Sequence, residues 1–241
     1  MKKKTLFAKI KGLYTEKTPS ESRLLACALT FSGGFVDCYT FVQRGHTLSA
    51  EQTANVIFFG ESLVNDNLEG MFTRGSTFLA FSIGLLTVGL FHKYVKNNYW
   101  RVFCLFPILL VCLIVSFLPD TVPNYLIVPA ISFSLALQNA SFSKIEGMAY
   151  SNAFTTGNLS NSVIAWSAYF FGAEKVKGTA ARNYMWLVIS FAFGAIVSAC
   201  LQRLMHLRTI LIGAVIISII NLTYIYMLKH SRNYNFKGNN E

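Results

Sequence analysis

The apolar runs of this chain constrain its fold more than any other feature. Residues 76–95 (STFLAFSIGLLTVGLFHKYV), 102–118 (VFCLFPILLVCLIVSFL), 183–202 and 209–228 (TILIGAVIISIINLTYIYML) are each long and nearly free of charge. A helix needs about 17–25 such residues to cross the hydrocarbon core of a bilayer. The expected fold class is therefore all-α integral membrane. Charged residues make up only 13% of the chain, against roughly 25% in a typical soluble domain. A soluble catalytic domain of any size has no room here, and no GxSxG, HExxH or Walker sequence occurs. The expectation is a protein that is not an enzyme.

The net charge is +10. Its Lys and Arg gather at the chain ends and between apolar runs, as the positive-inside rule requires. Residues 1–22 form a basic arm with no apolar core or cleavage site, so they are not expected to be a signal peptide. The lipid bilayer is the expected partner of this charge, and nucleic acid is not. Cys27, Cys38, Cys104, Cys112 and Cys200 all lie in apolar runs without a CxxC spacing. They read as small buried hydrophobes. His46, His92, His206 and His230 are scattered near span ends. Neither a metal nor a cofactor is implied.

Eight apolar pieces can be laid out: 24–43, 47–64, 76–95, 102–118, 123–143, 150–171, 183–202 and 209–228. They divide as four plus four. Setting 36–45 (VDCYTFVQRG) over 138–147 (QNASFSKIEG) puts Asp37 on Asn139 and Gly45 on Gly147. One residue of slip then places Thr53-Ala54-Asn55 on Thr156-Gly157-Asn158. The expected organisation is a basic cytoplasmic arm at 1–22, a first membrane repeat at 23–120, a second at 121–229 and a cytoplasmic tail at 230–241.

Charge orients the repeats. If all eight pieces crossed, the stretch 61–74 (Glu61, Asp66 and Glu69 against Arg74) would be inside and 92–101 (Lys93, Lys96, Arg101) outside. Both would break the positive-inside rule. If the second and sixth pieces dip in and return, both obey it, as do Asp120, the stretch with Lys175, Lys177 and Arg182, and the tail with Lys229, Arg232 and Lys237. Arg203 and Arg208 remain exceptions. The expected fold is thus a helical bundle of two inverted repeats, six crossings plus two interrupted or re-entrant segments.

The polar stretch SNAFTTGNLSN at 151–161 fits such a segment. Backbone that leaves a helix at membrane depth is tolerated only inside protein or beside a cavity, and Ser, Thr and Asn side chains can supply its missing partners. Gly157 is expected to permit a left-handed turn, with Asn158 or Thr156 capping the helix that follows. Two inverted halves would aim two helix N-termini at the midplane.

Asp37 is a lone acid in the first apolar run. A carboxylate at mid-bilayer costs about 2.5–3.5 kcal/mol on insertion scales, so it should face the protein interior. Asp37, with Glu51, is the candidate proton-coupling pair; the alternative is a buried carboxylate that caps backbone or pairs with Arg44. Lys144 and Glu146 read as an exposed pair at a helix end. Ala80 with Gly84, and Ser190, Gly194 and Ser198, form small-residue faces for helix packing. Thr53, Asn55, Asn139, Thr156, Gly157 and Asn158 are the candidate substrate-binding residues.

The pattern Gly-x-x-Asp in GGFVDCYTF (33–41), a following Thr-x-Asn, then LQNASFSKIEG and TTGN resembles the YoaK-like family, small multi-span bacterial inner-membrane proteins known mainly as a domain of unknown function. The resemblance covers nearly everything beyond residue 22. It implies a multi-pass protein of the bacterial cytoplasmic membrane and no established reaction. Ala54 departs from the family's Thr-Gly-Asn. The expected function is a transporter or channel for a small solute, anionic or carbonyl-bearing and proton-coupled, with its site between the polar turns. A non-transport assembly or sensing protein is the alternative. Homo-oligomerisation is left open.

Overall fold

The structure is a computed structural model that describes residues 18–94, 99–172 and 177–238, with side chains described up to residue 231. Most of the basic arm, together with Lys96, Lys175 and the side chains of Arg232 and Lys237, lies outside these described residues. Among the described residues eight α-helices follow in order: α1 Arg23–Gln43, α2 Gln52–Val64, α3 Leu68–Tyr94, α4 Trp100–Phe117, α5 Asn124–Ser141, α6 Thr156–Phe171, α7 Lys177–Met205 and α8 Thr209–Gly238. A two-stranded hairpin, β1 Lys144–Ile145 with β2 Met148–Ala149, stands between α5 and α6.

Helix lengths run from 13 to 30 residues. At 1.5 Å per residue, α1 with 21 residues reaches about 30 Å, the thickness of a hydrocarbon core. By contrast α2, with 13 residues, and α6, with 16, reach only about 20 and 24 Å. Helical stretches at Arg23–Gln43, Leu68–Tyr94, Trp100–Phe117 and Lys177–Ser231 are long and apolar enough to cross a membrane. The last runs through α7, a 3-10 turn at His206–Arg208 and α8.

The polarity of the bundle is turned inside out. Leu86, Phe117, Ile164, Phe171 and Leu222 are exposed. Thr30, Ser32, Asn55, Ser132, Gln138, Asn152, Asn158 and Asn183 are buried. Water would penalise that arrangement and lipid rewards it. The chain is an all-α membrane protein.

Contacts between helix ends fix their directions. A cavity at one end is lined by Glu21, His92, Trp100, Arg101, Ser141 and Lys144, so α1 and α4 start there and α3 and α5 finish there. Leu68, Glu69, Asp120 and Asn124 share a cavity at the other end, and Gly45 abuts Asn124 there. The chain therefore leaves α1 and enters α3 at the same end, having passed through α2 between them. The first end also receives the start of α7, where the Asn183 side chain donates to Glu146 at 2.7 Å. The start of α8 lies at the other end, where the Tyr39 hydroxyl donates to the Leu207 carbonyl at 3.0 Å. Tyr224, far along α8, meets Phe142 edge to face, returning that helix to the first end.

The most extensive helix contacts join α1 to α7 and α3 to α5. Each short helix lies on the next long one, α2 on α3 and α6 on α7. Close approach at both main crossings needs glycine. A Cβ on Gly34 would overlap the Phe191 carbonyl, one on Gly194 the Phe31 carbonyl, and one on Gly84 the Phe133 carbonyl. An apolar core cluster gathers Phe35, Val36, Tyr39, Ile108, Ile131, Leu135, Ile210 and Ala214.

Several local expectations are corrected. The third piece begins well before residue 76, because α2 runs to Val64 and α3 starts at Leu68. Asn67 makes the early start possible: its Oδ1 accepts the Gly70 N–H at 3.0 Å, an N-cap that needs no apolar residue. Likewise α7 starts at Lys177, ahead of the apolar run. Cys104 and Cys112 are buried, but Cys200 is exposed on the outer surface of α7. The hairpin at 144–149 was not anticipated; Glu146 and Gly147 turn it with φ of 47° and 81°, the left-handed pair of a two-residue hairpin turn.

Candidate functional site

The two polar stretches fold into two turns built on one plan. In the first, Gly45 and His46 take left-handed φ of 70° and 49°, which sends the chain back along α1. Asp37 catches it. Its Oδ1 accepts the Ser49 hydroxyl at 3.0 Å, 12 residues on, and the Ala50 N–H at 2.8 Å, 13 residues on. Asn55, in the first turn of α2, then clasps the backbone 7 residues behind it. Its Oδ1 accepts the Leu48 N–H at 3.0 Å, and its Nδ2 donates to the Leu48 carbonyl at 2.5 Å.

In the second turn Asn139 stands where Asp37 stands. Its Oδ1 accepts the Ser151 hydroxyl at 2.9 Å and the Asn152 N–H at 3.0 Å, again 12 and 13 residues on. Asn158 then clasps Ser151, 7 residues behind it, accepting the N–H at 3.3 Å and donating to the carbonyl at 2.6 Å. One difference accounts for the residue of slip between the halves. The first turn divides the two roles between Leu48 and Ser49, whereas Ser151 fills both.

Polar side chains also cross from each turn to the other half. Gln138 donates to Asn152 Oδ1 at 3.1 Å, to Ser32 Oγ at 3.3 Å and to the Leu29 carbonyl at 3.3 Å. Gln52 reaches Ser132 Oγ at 3.5 Å. Ser49, Ser151, Asn152 and Gln138 thus carry the turns, although sequence reasoning did not select them. Their only signal was polarity inside an apolar run.

Burial sorts the selected residues. Asp37 is 4% exposed, and Asn55 and Asn158 are 1% exposed each. Asn139 and Glu51 are partly buried, and Thr53, Thr156 and Gly157 are exposed. Glu51 immediately precedes α2 and makes no side-chain cap there. Among the described residues, no hydrogen bond joins Thr53 or Asn55 to Thr156, Gly157 or Asn158. The two turns instead meet the common apolar core through Ala50 and Ala153.

Three expectations about these residues are corrected. Gly157 is not a left-handed hinge: it is helical, and a Cβ there meets nothing within 4 Å. The reversals are made upstream, at Gly45–His46 and Glu146–Gly147, so Ala54 is as suitable in α2 as Gly157 is in α6. Neither Thr156 nor Asn158 caps α6; Thr155 is the N-cap residue and makes no side-chain bond, because Asn158 is spent on Ser151. Lys144 does not pair with Glu146, which instead binds Arg23 at 2.9 Å.

Arg44 does not pair with Asp37 either. Its Nε donates to the Tyr39 hydroxyl at 3.3 Å, while the residue is 1% exposed and, among the described residues, one terminal nitrogen lacks a partner. The buried Arg74 is better matched, held by the Phe58 carbonyl at 2.8 Å, the Ser62 hydroxyl and Glu61 at 3.5 Å. Among the described residues, no group of three His, Cys, Asp or Glu side chains is placed to hold a metal ion.

Comparison with known proteins agrees with a membrane protein. The sequence model of the family described as "Protein of unknown function (DUF1275)" matches residues 25–223, from α1 into α8. The UPF0700 transmembrane protein YoaK of Bacillus subtilis (strain 168) is 24% identical over 188 residues, covering 73% of this chain and 81% of that protein. No solved structure matches the chain. Both polar turns and the helices that frame them lie within the matched region, and the chain belongs to the DUF1275 family.

Proposed function

We propose that the chain is a transporter or channel for a small solute in the bacterial cytoplasmic membrane, with Asp37 as its proton-coupling group. Its two halves are inverted repeats. Helices α1, α3, α4, α5, α7 and α8 cross, while α2 and α6 enter and return. The shared bonding plan of the two turns and the short lengths of α2 and α6 support this arrangement. Charge supports its orientation. Arg23, Lys93, Arg101, Lys144, Lys177 and Arg182 belong to the end where α1 starts, and Glu61, Asp66, Glu69 and Asp120 to the other. The first end is cytoplasmic on the positive-inside rule.

One observation carries the assignment of Asp37. Its structural task is to offer one oxygen to Ser49 and Ala50, and an amide performs the same task at Asn139. A carboxylate is not needed for the turn and is expensive at membrane depth. An ionisable group kept where an amide suffices is a candidate for carrying a proton. Thr53, Asn55, Asn139, Thr156, Gly157 and Asn158 are proposed to frame the solute path beside the turns. No enzymatic chemistry is assigned to them.

The test uses liposomes that contain the purified protein and a pH-sensitive dye, challenged with a panel of small carboxylates and amides. At least one solute is expected to acidify the lumen only when the protein is present. Asp37→Asn should abolish that acidification yet preserve exchange of labelled solute down its own gradient. Undiminished solute-driven proton entry in Asp37→Asn vesicles would remove the assignment.

A further inference from the structure

The end of the bundle where α1 starts holds a cavity of about 380 Å³, walled by the last turns of α3 and α5, the first turn of α4 and the entry to β1. Its lining includes Val88, Gly89 and Ala140 together with the basic Arg101, Lys144 and His92. Arg101 is held in position. Its Nε donates to the Ser141 carbonyl at 2.9 Å, and its guanidinium lies 4.6 Å over the Trp100 ring. A guanidinium has five N–H donors, so these contacts leave donors to spare. Glu21, also in the lining, accepts the Gly147 N–H at 2.9 Å. Among the described residues the ion pairs are Arg23–Glu146 and Arg74–Glu61, so neither Arg101 nor Lys144 has a carboxylate partner within ion-pair distance.

We propose that this cavity binds a phosphate group, with Arg101 and Lys144 as its cationic ligands, supplied by an anionic phospholipid headgroup or a small phosphorylated solute. The fork of a guanidinium matches phosphate oxygens, and an ammonium adds a point charge beside it. Basic groups beside the exposed apolar Leu86 and Leu90 of α3 also suit a headgroup whose acyl chains continue along that helix. Basic pockets between membrane helices at a cytoplasmic surface take such headgroups.

The experiment measures thermal unfolding and lipid retention of the delipidated full chain. Phosphatidylglycerol, phosphatidylcholine and inorganic phosphate at constant ionic strength are added in separate arms. Phosphatidylglycerol should protect and phosphatidylcholine should not. Lys144→Gln should weaken that protection about fivefold, the worth of one basic group near anionic lipid, and Arg101→Gln should weaken it further. Arg182→Gln, an exposed change at the same end but outside the cavity, should leave it unaltered. Protection by inorganic phosphate alone, lost in Lys144→Gln, would assign the site to a soluble phosphate. Equal loss in all three variants means general surface attraction and overturns the proposal, as does an absence of protection in every arm. Lys144 is exposed on the hairpin, so its variant decides the matter even if Arg101→Gln does not fold.

Discussion

Asn55 and Asn158 do the same work in different sequence settings, and that work sets their cost of removal. Each pairs both backbone groups of one residue, Leu48 or Ser151. Truncation leaves an N–H and a C=O without partners where water is scarce, at about 1–3 kcal/mol apiece. Asn55→Ala and Asn158→Ala are each expected to lose about 2–6 kcal/mol of stability in detergent unfolding. Asp37→Asn should stay within about 1 kcal/mol, since the acceptor oxygen survives. Asp37→Leu removes it and should cost at least about 2 kcal/mol. Gly157→Val, in a helical position with open space, should change stability by less than about 1 kcal/mol. A loss larger than that of Asn158→Ala would restore Gly157 as the hinge. Asp37, Asn55, Asn139 and Asn158 were visible in the sequence because polar groups are rare in apolar runs. Their partners were not, because bonds reaching 7, 12 and 13 residues along the chain leave no periodic mark in the sequence. Ser49 and Ser151 look like any other serine near a span end.

Among the elements, the long helices were legible because apolar runs of bilayer length have one stable outcome. The starts of α3 and α7 were not, since both begin in polar sequence ahead of their apolar runs. The shortness of α2 and α6 was not legible, because composition does not separate a short helix with a polar lead-in from a complete span. How the long helices cross is a matter of glycine. Gly34 and Gly194 face opposing carbonyls across the α1–α7 contact, whereas Gly89 in α3 faces open space. Gly34→Ala and Gly194→Ala are expected to cost about 1–3 kcal/mol each by overpacking. Gly89→Ala should be neutral or add about 0.5–1 kcal/mol through helix propensity. Chemical unfolding of the three variants side by side checks the contrast, and equal responses would mean that the crossing is loose enough to accept a methyl group.

For the molecule as a whole, the proposed topology predicts the exposure of single cysteines in intact cells whose native cysteines have been replaced. Asp66→Cys, between α2 and α3, should react with an impermeant thiol reagent added outside. Lys93→Cys, at the far end of α3, should react only after the membrane is opened. Labelling of both from outside would invert or dismantle the six-crossing arrangement. The two halves are also not separable bodies. The largest contact of α1 is with α7 and that of α3 is with α5, so the principal interfaces run between halves.

That interlacing bears on how the protein is made. A ribosome delivers α1 well before α7 exists, so the glycine face at Gly34 waits in lipid, unmatched, through the synthesis of more than half the chain. The polar turn at Leu48–Asn55 waits as well, since Gln52 finds Ser132 only when α5 has arrived. An insertion machine that releases helices one at a time would strand them. This fold needs its early helices kept close to the exit site until their late partners emerge.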